Sequence, residues 1–218
     1  MAPPSPVLRS RSSPSRASTA LVGGASFVRR DLAPWVIHDY VNVCALSIAS
    51  MLVVLALVAG QRFQRPLAIF LAVYTALDGV WIAGQPHIVR EPAVLLGHHA
   101  ATLMLLAHAL ADPPMMRYVA SMAVVELNSL FLTMRRHLKH WSVELLFAIT
   151  WIALRVVWLP CVAVRLTVHV FDRATSTAST AMVALCATGL ALLQLVWTHD
   201  ALRSGVGSKI FRSCTTAV

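Results

Sequence analysis

Residues 92–111 read PAVLLGHHAATLMLLAHALA, a stretch of twenty residues without Asp, Glu, Lys or Arg. As a helix rising about 1.5 Å per residue, this stretch matches the hydrocarbon core of a bilayer, which is about 30 Å thick. Five comparable apolar stretches lie before and after it, separated by short polar segments. We therefore predict six transmembrane helices, at about residues 41–60, 66–84, 92–111, 115–134, 143–168 and 180–198.

The composition of the 218-residue chain indicates the same class of protein. Hydrophobic residues make up 58% of it and charged residues 12%, with a mean hydropathy of +0.71, whereas soluble chains carry about 25% charged residues. The predicted fold class is an all-α integral membrane protein, with its six helices in a bundle or barrel over residues 35–203. Residues 1–34, rich in Ser, Pro and Arg, are expected to form a disordered basic tail, with an organelle transit peptide as the alternative. Residues 204–218 are the C-terminal tail.

The net charge of +9 comes from 18 Lys and Arg residues spread over the tails and loops. Twelve of them fall on the side of the predicted helices that holds both termini, four fall on the other side and two lie inside the fifth span. Because Lys and Arg accumulate in cytoplasmic loops, both termini are predicted to face the cytoplasm.

The same distribution bears on partners and location. No single basic face forms, so nucleic acid is not an expected partner. The endoplasmic reticulum or another endomembrane is the expected location, with the plasma membrane and other organelles left open. The four cysteines include no CxxC pair, and we expect neither a metal nor another cofactor.

The second predicted span contains an acid. An ionisable side chain there costs about 2.5–3.5 kcal/mol and therefore usually faces the protein interior. Asp78 shares one helical face with Tyr74, Trp81 and Gln85. Two interpretations remain open: an acid that faces a polar cavity, or a structural carboxylate paired with an arginine or a hydroxyl.

The third predicted span contains two adjacent histidines. His98 and His99 lie about 100° apart around the helix, and Thr102 lies one turn beyond His98. A neutral imidazole offers a base or nucleophile on one nitrogen and a donor on the other, which suits proton or acyl transfer. The alternative is a pair of histidines that are hydrogen-bonded within a helix interface.

The fourth predicted span carries a continuous polar stripe on an otherwise apolar helix, and this stripe must meet something polar. The stripe consists of Glu126, Ser129, Thr133 and His137. Asn128 lies on another face and is expected to hold a neighbouring helix. Arg135 and Arg136 follow at the end of the span and are expected to anchor it among lipid headgroups.

The fifth predicted span contains an arginine between two tryptophans. Arg155 shares a helical face with Trp151 and Trp158. We expect it to be held by cation–π contact and by a carboxylate such as Asp78 or Glu126, in a mainly structural role.

Three of these segments together resemble the TLC-domain family, over about residues 61–202. The segments are Tyr74-x3-Asp78-x2-Trp81, Gly97-His98-His99-x2-Thr102 and ELNSLFLTMR at residues 126–135. The resemblance implies a helical membrane barrel in which the histidine pair lies beside a cavity for lipid or acyl chains.

The departures from the family pattern narrow this resemblance. Ceramide synthases carry a further His-Asp and an Asp-rich stretch on the helix after the histidines, where this chain has ELNS at residues 126–129. The segment is more similar to the smaller, non-ceramide-synthase branch, with Glu126, Phe131 and Arg135 matched. Asn128, Leu130 and Thr133 replace that branch's usual Ser, Pro and Asn. The departures argue against N-acyl transfer to sphingoid bases and leave a broader role in lipid homeostasis.

The resemblance therefore implies binding of a lipid or acyl chain, and it leaves open whether the protein is an enzyme. As an enzyme it would be an acyltransferase that uses acyl-CoA. The candidate catalytic residues are then His98, His99, Asp78 and Glu126. The candidate substrate-binding residues are Tyr74, Trp81, Thr102, Ser129, Thr133 and Arg135. The alternatives are a small proton-coupled carrier with Asp78, His98 and Glu126 as its relay, and a non-catalytic membrane scaffold.

Overall fold

The computed structural model describes residues 34–173 and 177–203, and every regular element in these two ranges is helical. The α-helices are α1 Pro34–Ala59, α2 Gln61–Gly84, α3 Pro92–Ala111, α4 Met116–Ala123, α5 Glu126–His137, α6 Trp141–Thr150, α7 Leu159–Asp172 and α8 Thr177–Arg203. A π-helix, Trp151–Trp158, joins α6 to α7, and two short 3₁₀ turns, Pro86–Ile88 and Pro113–Met115, precede α3 and α4. Residues 1–33 and 204–218 lie outside the described residues, so both tails stay predictions.

Six helical segments are long and apolar enough to cross a membrane. They are Pro34–Ala59, Gln61–Gly84, Pro92–Ala111, Pro113–His137, Trp141–Asp172 and Ala178–Asp200. The predicted all-α membrane fold with six spans is confirmed. The first span begins at Pro34 and not near Val41, so His38 and Asp39 belong to α1. Proline suits the first turn of a helix because its missing N–H has no partner there in any case.

The fourth span is interrupted, although the sequence predicted one helix. The chain turns at Val124 and Val125, between α4 and α5. The backbone N–H groups of Leu127 and Asn128 donate to the carbonyl groups of Val124 and Val125, three residues back. This tighter hydrogen bonding rotates α5 relative to α4 and lies immediately before Glu126.

The fifth span widens where the sequence predicts a kink at Pro160. Pro160 has no N–H to donate to the carbonyl group four residues before it. The π-helix precedes it directly, and the Leu159 N–H donates to the carbonyl oxygen of Leu154, five residues back. Arg155 lies inside this wider segment. The kink expected at the proline is thus accommodated as a π-helical stretch on its N-terminal side.

The six spans pack side by side in a closed ring. α1 packs against α2, α2 against α3, α3 against α8, α8 against α7 and the π-helix, and α5 against both α6 and α1. α4 packs against α1, α2 and α7 at the end of the ring where α4 begins. The buried apolar core lies around this end and includes Val53, Leu67, Val119, Leu166 and Val183. Large apolar side chains such as Val58 and Leu185 are exposed on the outside, as a lipid-facing surface requires.

Candidate functional site

The ring encloses a cavity of about 1760 Å³, larger than the roughly 300–1,000 Å³ of a typical small-molecule site. All six spans contribute to its wall. A group of polar side chains, hereafter the polar cluster, lies on one part of the wall: Asp78, His98, His99, Glu126, Ser129, Arg155 and Gln194. Towards α4 the wall is apolar, with Leu46, Leu71, Leu106, Met115, Val119 and Leu166. The cavity is therefore amphipathic along its length.

The carboxylate of Asp78 bridges two histidines on two other helices. Its Oδ1 atom lies 2.7 Å from Nε2 of His38 on α1, and its Oδ2 atom lies 2.7 Å from Nε2 of His99 on α3. Since an ionised carboxylate only accepts hydrogen bonds, each imidazole carries its proton on Nε2. Among the described residues the partners of Asp78 are these two histidines and not an arginine or a hydroxyl, and the carboxylate ties α1, α2 and α3 together beside the cavity.

The two adjacent histidines both present a second ring nitrogen without a hydrogen bond. Nδ1 of His98 and Nδ1 of His99 are buried and have no partner among the described residues. The rings lie 5.7 Å apart by their centroids, and the ring of His98 is 5.8 Å from that of Trp197 on α8. With Nε2 of His99 protonated and bound to Asp78, its Nδ1 carries a basic lone pair.

Arg155 is held by three neutral oxygen atoms, contrary to the prediction of a carboxylate partner. Its Nε, Nη1 and Nη2 atoms donate to Asn128 Oδ1, Gln194 Oε1 and Ser129 Oγ, each at 2.6 Å. The two proposed partners are unsuited for separate reasons. Asp78 is occupied by histidines, and within the described ranges Glu126 does not come within ion-pair distance of the guanidinium.

The predicted aromatic contacts of Arg155 are half correct. The guanidinium lies 5.2 Å from the ring centroid of Trp151, as expected for a cation–π contact. The indole of Trp158 instead donates to the carbonyl oxygen of Ser121 at 2.7 Å. Trp158 was assigned to this face by assuming an α-helix, and the π-helix changes the rotation per residue.

Asn128 holds neighbouring helical segments, as predicted. Its side chain is completely buried. The amide group donates to the carbonyl oxygen of Phe147 at 3.1 Å and to the hydroxyl of Thr150 at 2.9 Å, while its oxygen accepts from Arg155. One amide thereby joins α5, α6 and the π-helix.

The polar stripe of α5 divides between two environments. Glu126, Ser129 and Thr133 line the cavity, whereas His137 lies 3.1 Å from Asp39 on α1. The hydroxyl of Thr133 donates to the backbone carbonyl group of Ser129, one turn earlier. The carboxylate of Glu126 forms no hydrogen bond or ion pair with any residue that the structure describes. Glu126 is thus an acidic residue that faces the cavity without a direct partner among residues 34–173 and 177–203.

The remaining candidate substrate-binding residues differ in their contact with the cavity. Tyr74 lines it and donates from its hydroxyl to Asn42 at 3.3 Å. Thr102 lines it too, but its hydroxyl already donates to the carbonyl group of His98. Arg135 lines it and lies 4.4 Å from the ring centroid of Phe147.

Trp81 does not line the cavity, and its predicted role in substrate binding is not supported by its position. Its ring lies 5.8 Å from the ring of His38, by their centroids. Gln85, predicted on the same face, is absent from the wall as well.

Sequence analysis missed the first turns of α1. Asp39 is 2% exposed and accepts hydrogen bonds from Arg136 at 2.9 Å and from His137 at 3.1 Å. Arg136 is therefore bonded to a buried acid, a contact that its expected role as a headgroup anchor did not include. The spacing of His38 and Asn42, four residues apart after Pro34, was the signal of an earlier helix start.

The chain has the features of a multi-pass helical membrane protein with a ring of spans around an amphipathic cavity. A sequence profile of the TLC domain matches residues 37–203, which is most of the chain. The protein belongs to the TLC-domain family, and the predicted resemblance is confirmed. Its assignment to the non-ceramide-synthase branch stays a prediction. Neither the curated proteins nor the solved structures include a match.

Proposed function

We propose that the protein binds a lipid by its acyl chain inside the cavity and thereby acts in lipid homeostasis. The single observation that carries the proposal is the division of one large cavity into the polar cluster and an apolar wall. An acyl chain fits the apolar part, and a polar headgroup or thioester fits the cluster. Membrane lipids, with acyl-CoA as a possible acyl donor, are the partners this proposal implies.

The hydrophobic effect contributes little to lipid binding here, because the lipid comes from the membrane and not from water. A lipid tail in the bilayer is already in an apolar medium, so its transfer into an apolar cavity gains little hydrophobic free energy. Selectivity for one lipid over the bulk must therefore come from the shape of the cavity and from the polar cluster.

Two matched substitutions on α3 test the binding proposal. Leu105 lines the cavity, and its neighbour Met104 is exposed on the outer surface. Mass spectrometry of lipids that co-purify with the detergent-extracted protein is expected to find an enriched species in the wild type. Leu105→Trp should remove this species and Met104→Trp should retain it. Equal lipid content in both variants would show that the bound lipid lies outside the cavity.

A second candidate function is acyl transfer, and the Asp78–His99 pair favours it. A carboxylate that holds one imidazole nitrogen leaves the other as a general base. In the transfer that we propose, His99 removes a proton from a hydroxyl or amine of the acceptor lipid. The acceptor oxygen or nitrogen forms a bond to the thioester carbon, the C–S bond breaks, and the proton passes to the CoA thiolate.

Labelled acyl-CoA tests this step. The wild type is incubated with it beside the His98→Ala/His99→Ala variant. Label in a new ester or amide, formed about 10²–10⁴ times faster by the wild type, is the result expected of a general base. An enriched lipid that is unchanged by the double substitution would instead indicate a binding or regulatory protein. No enriched lipid in either sample would favour the proton-coupled carrier or the scaffold.

We also propose that both termini face the cytoplasm and that the membrane is that of the endoplasmic reticulum or a related compartment. The support for the orientation is the excess of Lys and Arg on the side that holds the termini. Arg90, Arg135, Arg136 and Arg203 line the cavity at this end. In this orientation the cavity meets the compartment in which cytosolic acyl-CoA is available, with cations near the path of its phosphates.

A further inference from the structure

The cavity wall contains a buried positive charge, on Arg155, that forms no hydrogen bond with Asp78 or its histidine partners. Arg155 lies in the middle of the fifth span, is 7% exposed and forms part of the cavity wall. Its three hydrogen-bond acceptors, on Asn128, Gln194 and Ser129, are all neutral.

A buried charge in the membrane is costly and is normally compensated by an opposite charge. The carboxylates that line this cavity do not provide one by direct contact. Asp78 is bonded to two histidines, Asp39 is bonded to Arg136 and His137, and Glu91 and Asp200 lie near helix ends at the rim. Glu126 remains: it interacts electrostatically with Arg155, but over the residues that the structure covers the two form no direct ion pair.

The guanidinium of Arg155 is held by several contacts, and two of its N–H groups are left without a hydrogen bond among the described residues. Of its five N–H donors, the three hydrogen bonds occupy one on each nitrogen, which leaves one on Nη1 and one on Nη2. The ring of Trp151 packs against it at 5.2 Å. The two remaining N–H groups can donate to a carboxylate or a phosphate, both of which offer several acceptor oxygens.

We propose that Arg155 binds the acidic headgroup of the lipid in the cavity, a carboxylate or a phosphate. The proposal rests on the proposed lipid-binding function and deepens it by naming the class of ligand. A neutral side chain would satisfy the same three oxygens without the cost of a buried charge, so the charge is best explained by an anion that arrives with the ligand. Glu126, which lines the same cavity, opposes that anion and lowers its affinity.

The test compares two ligands with the same chain, oleate and the uncharged oleyl alcohol. Binding of each is measured by radioligand competition on the full-length protein in nanodiscs, with empty nanodiscs as background and at a pH that keeps the carboxylate ionised. The wild type is expected to bind oleate at least about tenfold more tightly, the effect of one hydrogen bond to a charged group. Arg155→Gln should abolish this preference, so that oleate and oleyl alcohol bind with equal affinity.

The possible results separate the two proposals. Equal affinity of the wild type for oleate and oleyl alcohol would overturn the acidic-headgroup site and leave lipid binding intact. Binding of neither ligand would overturn the lipid-binding function itself. Oleoyl lysophosphatidate is the third ligand: tighter binding than oleate assigns the site to a phosphate headgroup, and weaker binding assigns it to a free fatty acid.

A second variant guards against misfolding of Arg155→Gln, since Arg155 joins the π-helix to two other segments, α5 and α8. Glu126→Gln leaves the guanidinium and its three acceptors in place. It should strengthen binding of oleate relative to oleyl alcohol, because it removes a negative charge from the same cavity. An unchanged or weaker affinity for oleate in this variant would contradict the proposed position of the anion.

Discussion

Asp78 is the residue on which the polar cluster depends most, because each of its two oxygen atoms accepts a hydrogen bond from a different helix. His38 and His99 are its partners, on α1 and α3. An asparagine has nearly the same shape but only one accepting oxygen. Its oxygen can accept from one of the two imidazole N–H groups, and its NH₂ group then faces the other. The substitution therefore removes one hydrogen bond and creates a clash of donors.

We predict that Asp78→Asn lowers the free energy of unfolding by about 1–3 kcal/mol, the usual cost of leaving a buried polar group without its partner. The measurement is thermal unfolding in detergent. Asp172→Asn, at the exposed end of α7, is the matched control and should change little. Equal stability of the two variants would mean that the bridging contacts contribute nothing net.

A second prediction at the residue scale concerns the neighbours of Arg155. Asn128→Asp would place a carboxylate at the position that now accepts from the Arg155 Nε atom. The guanidinium would then have a counter-charge within the protein, so the preference for oleate over oleyl alcohol should fall at least about tenfold. The carboxylate can no longer donate to Phe147 and Thr150, so the variant should also be less stable than the wild type. Competition binding measures the affinity for each ligand. An undiminished preference for oleate would argue that the anion lies elsewhere in the cavity.

At the scale of the elements, the contact between the start of α1 and the end of α5 is unusually polar for two membrane helices. Asp39 is buried there between Arg136 and His137, and Trp35 and Tyr40 stack on the ring of His137 at 6.4 and 5.3 Å. Because Trp35, Asp39 and Arg136 also line the cavity, this contact forms part of its rim.

We predict that Asp39→Asn weakens this contact by about 1–3 kcal/mol. Removing one partner of a fully buried ion pair costs about 3–5 kcal/mol, and the value is lower here because the side chain of Arg136 is 57% exposed and so partly screened by water. Thermal unfolding of the wild type and the variant measures this change in free energy. High salt should reduce the difference from the wild type, and a difference that is independent of salt would indicate lost packing and not lost charge.

At the scale of the whole molecule, six spans are an even number of crossings, which places Pro34 and Arg203 on the same side of the membrane. We propose from the charge distribution that this side is the cytoplasm. The loop at Lys139 then lies on the cytoplasmic side, and the loop at Asp112 lies on the opposite side.

Introduced cysteines test this orientation. Lys139→Cys and Asp112→Cys are made in a background without the native cysteines, and a membrane-impermeant thiol reagent is added after selective opening of the plasma membrane. We predict labelling of Lys139→Cys alone, with labelling of both after full solubilisation as the control. Labelling of Asp112→Cys alone would show that the protein has the opposite orientation in the membrane. Labelling of both cysteines before solubilisation would refute the six-span topology.

The sequence by itself determined the class of protein, the six spans and the family. These features depend on local properties, namely the length of apolar stretches and the spacing of polar residues along one helix, which need no knowledge of the neighbours. The segments around Asp78, the histidine pair and Glu126 were visible for the same reason. The start of α1 was missed because His38 and Asp39 are polar, and a polar residue ends an apolar stretch unless its buried partner is known.

Only the tertiary structure decided which polar groups meet. The partners of Asp78 lie 40 and 21 residues away, and those of Arg155 lie 26, 27 and 39 residues away, so no helical periodicity connects them. The rotation of each helix in the ring, altered by the turn at Val124 and the π-helix before Pro160, selects the contacts. Arg155 was therefore predicted to meet a carboxylate and instead meets three neutral oxygens, which leaves its charge facing the cavity.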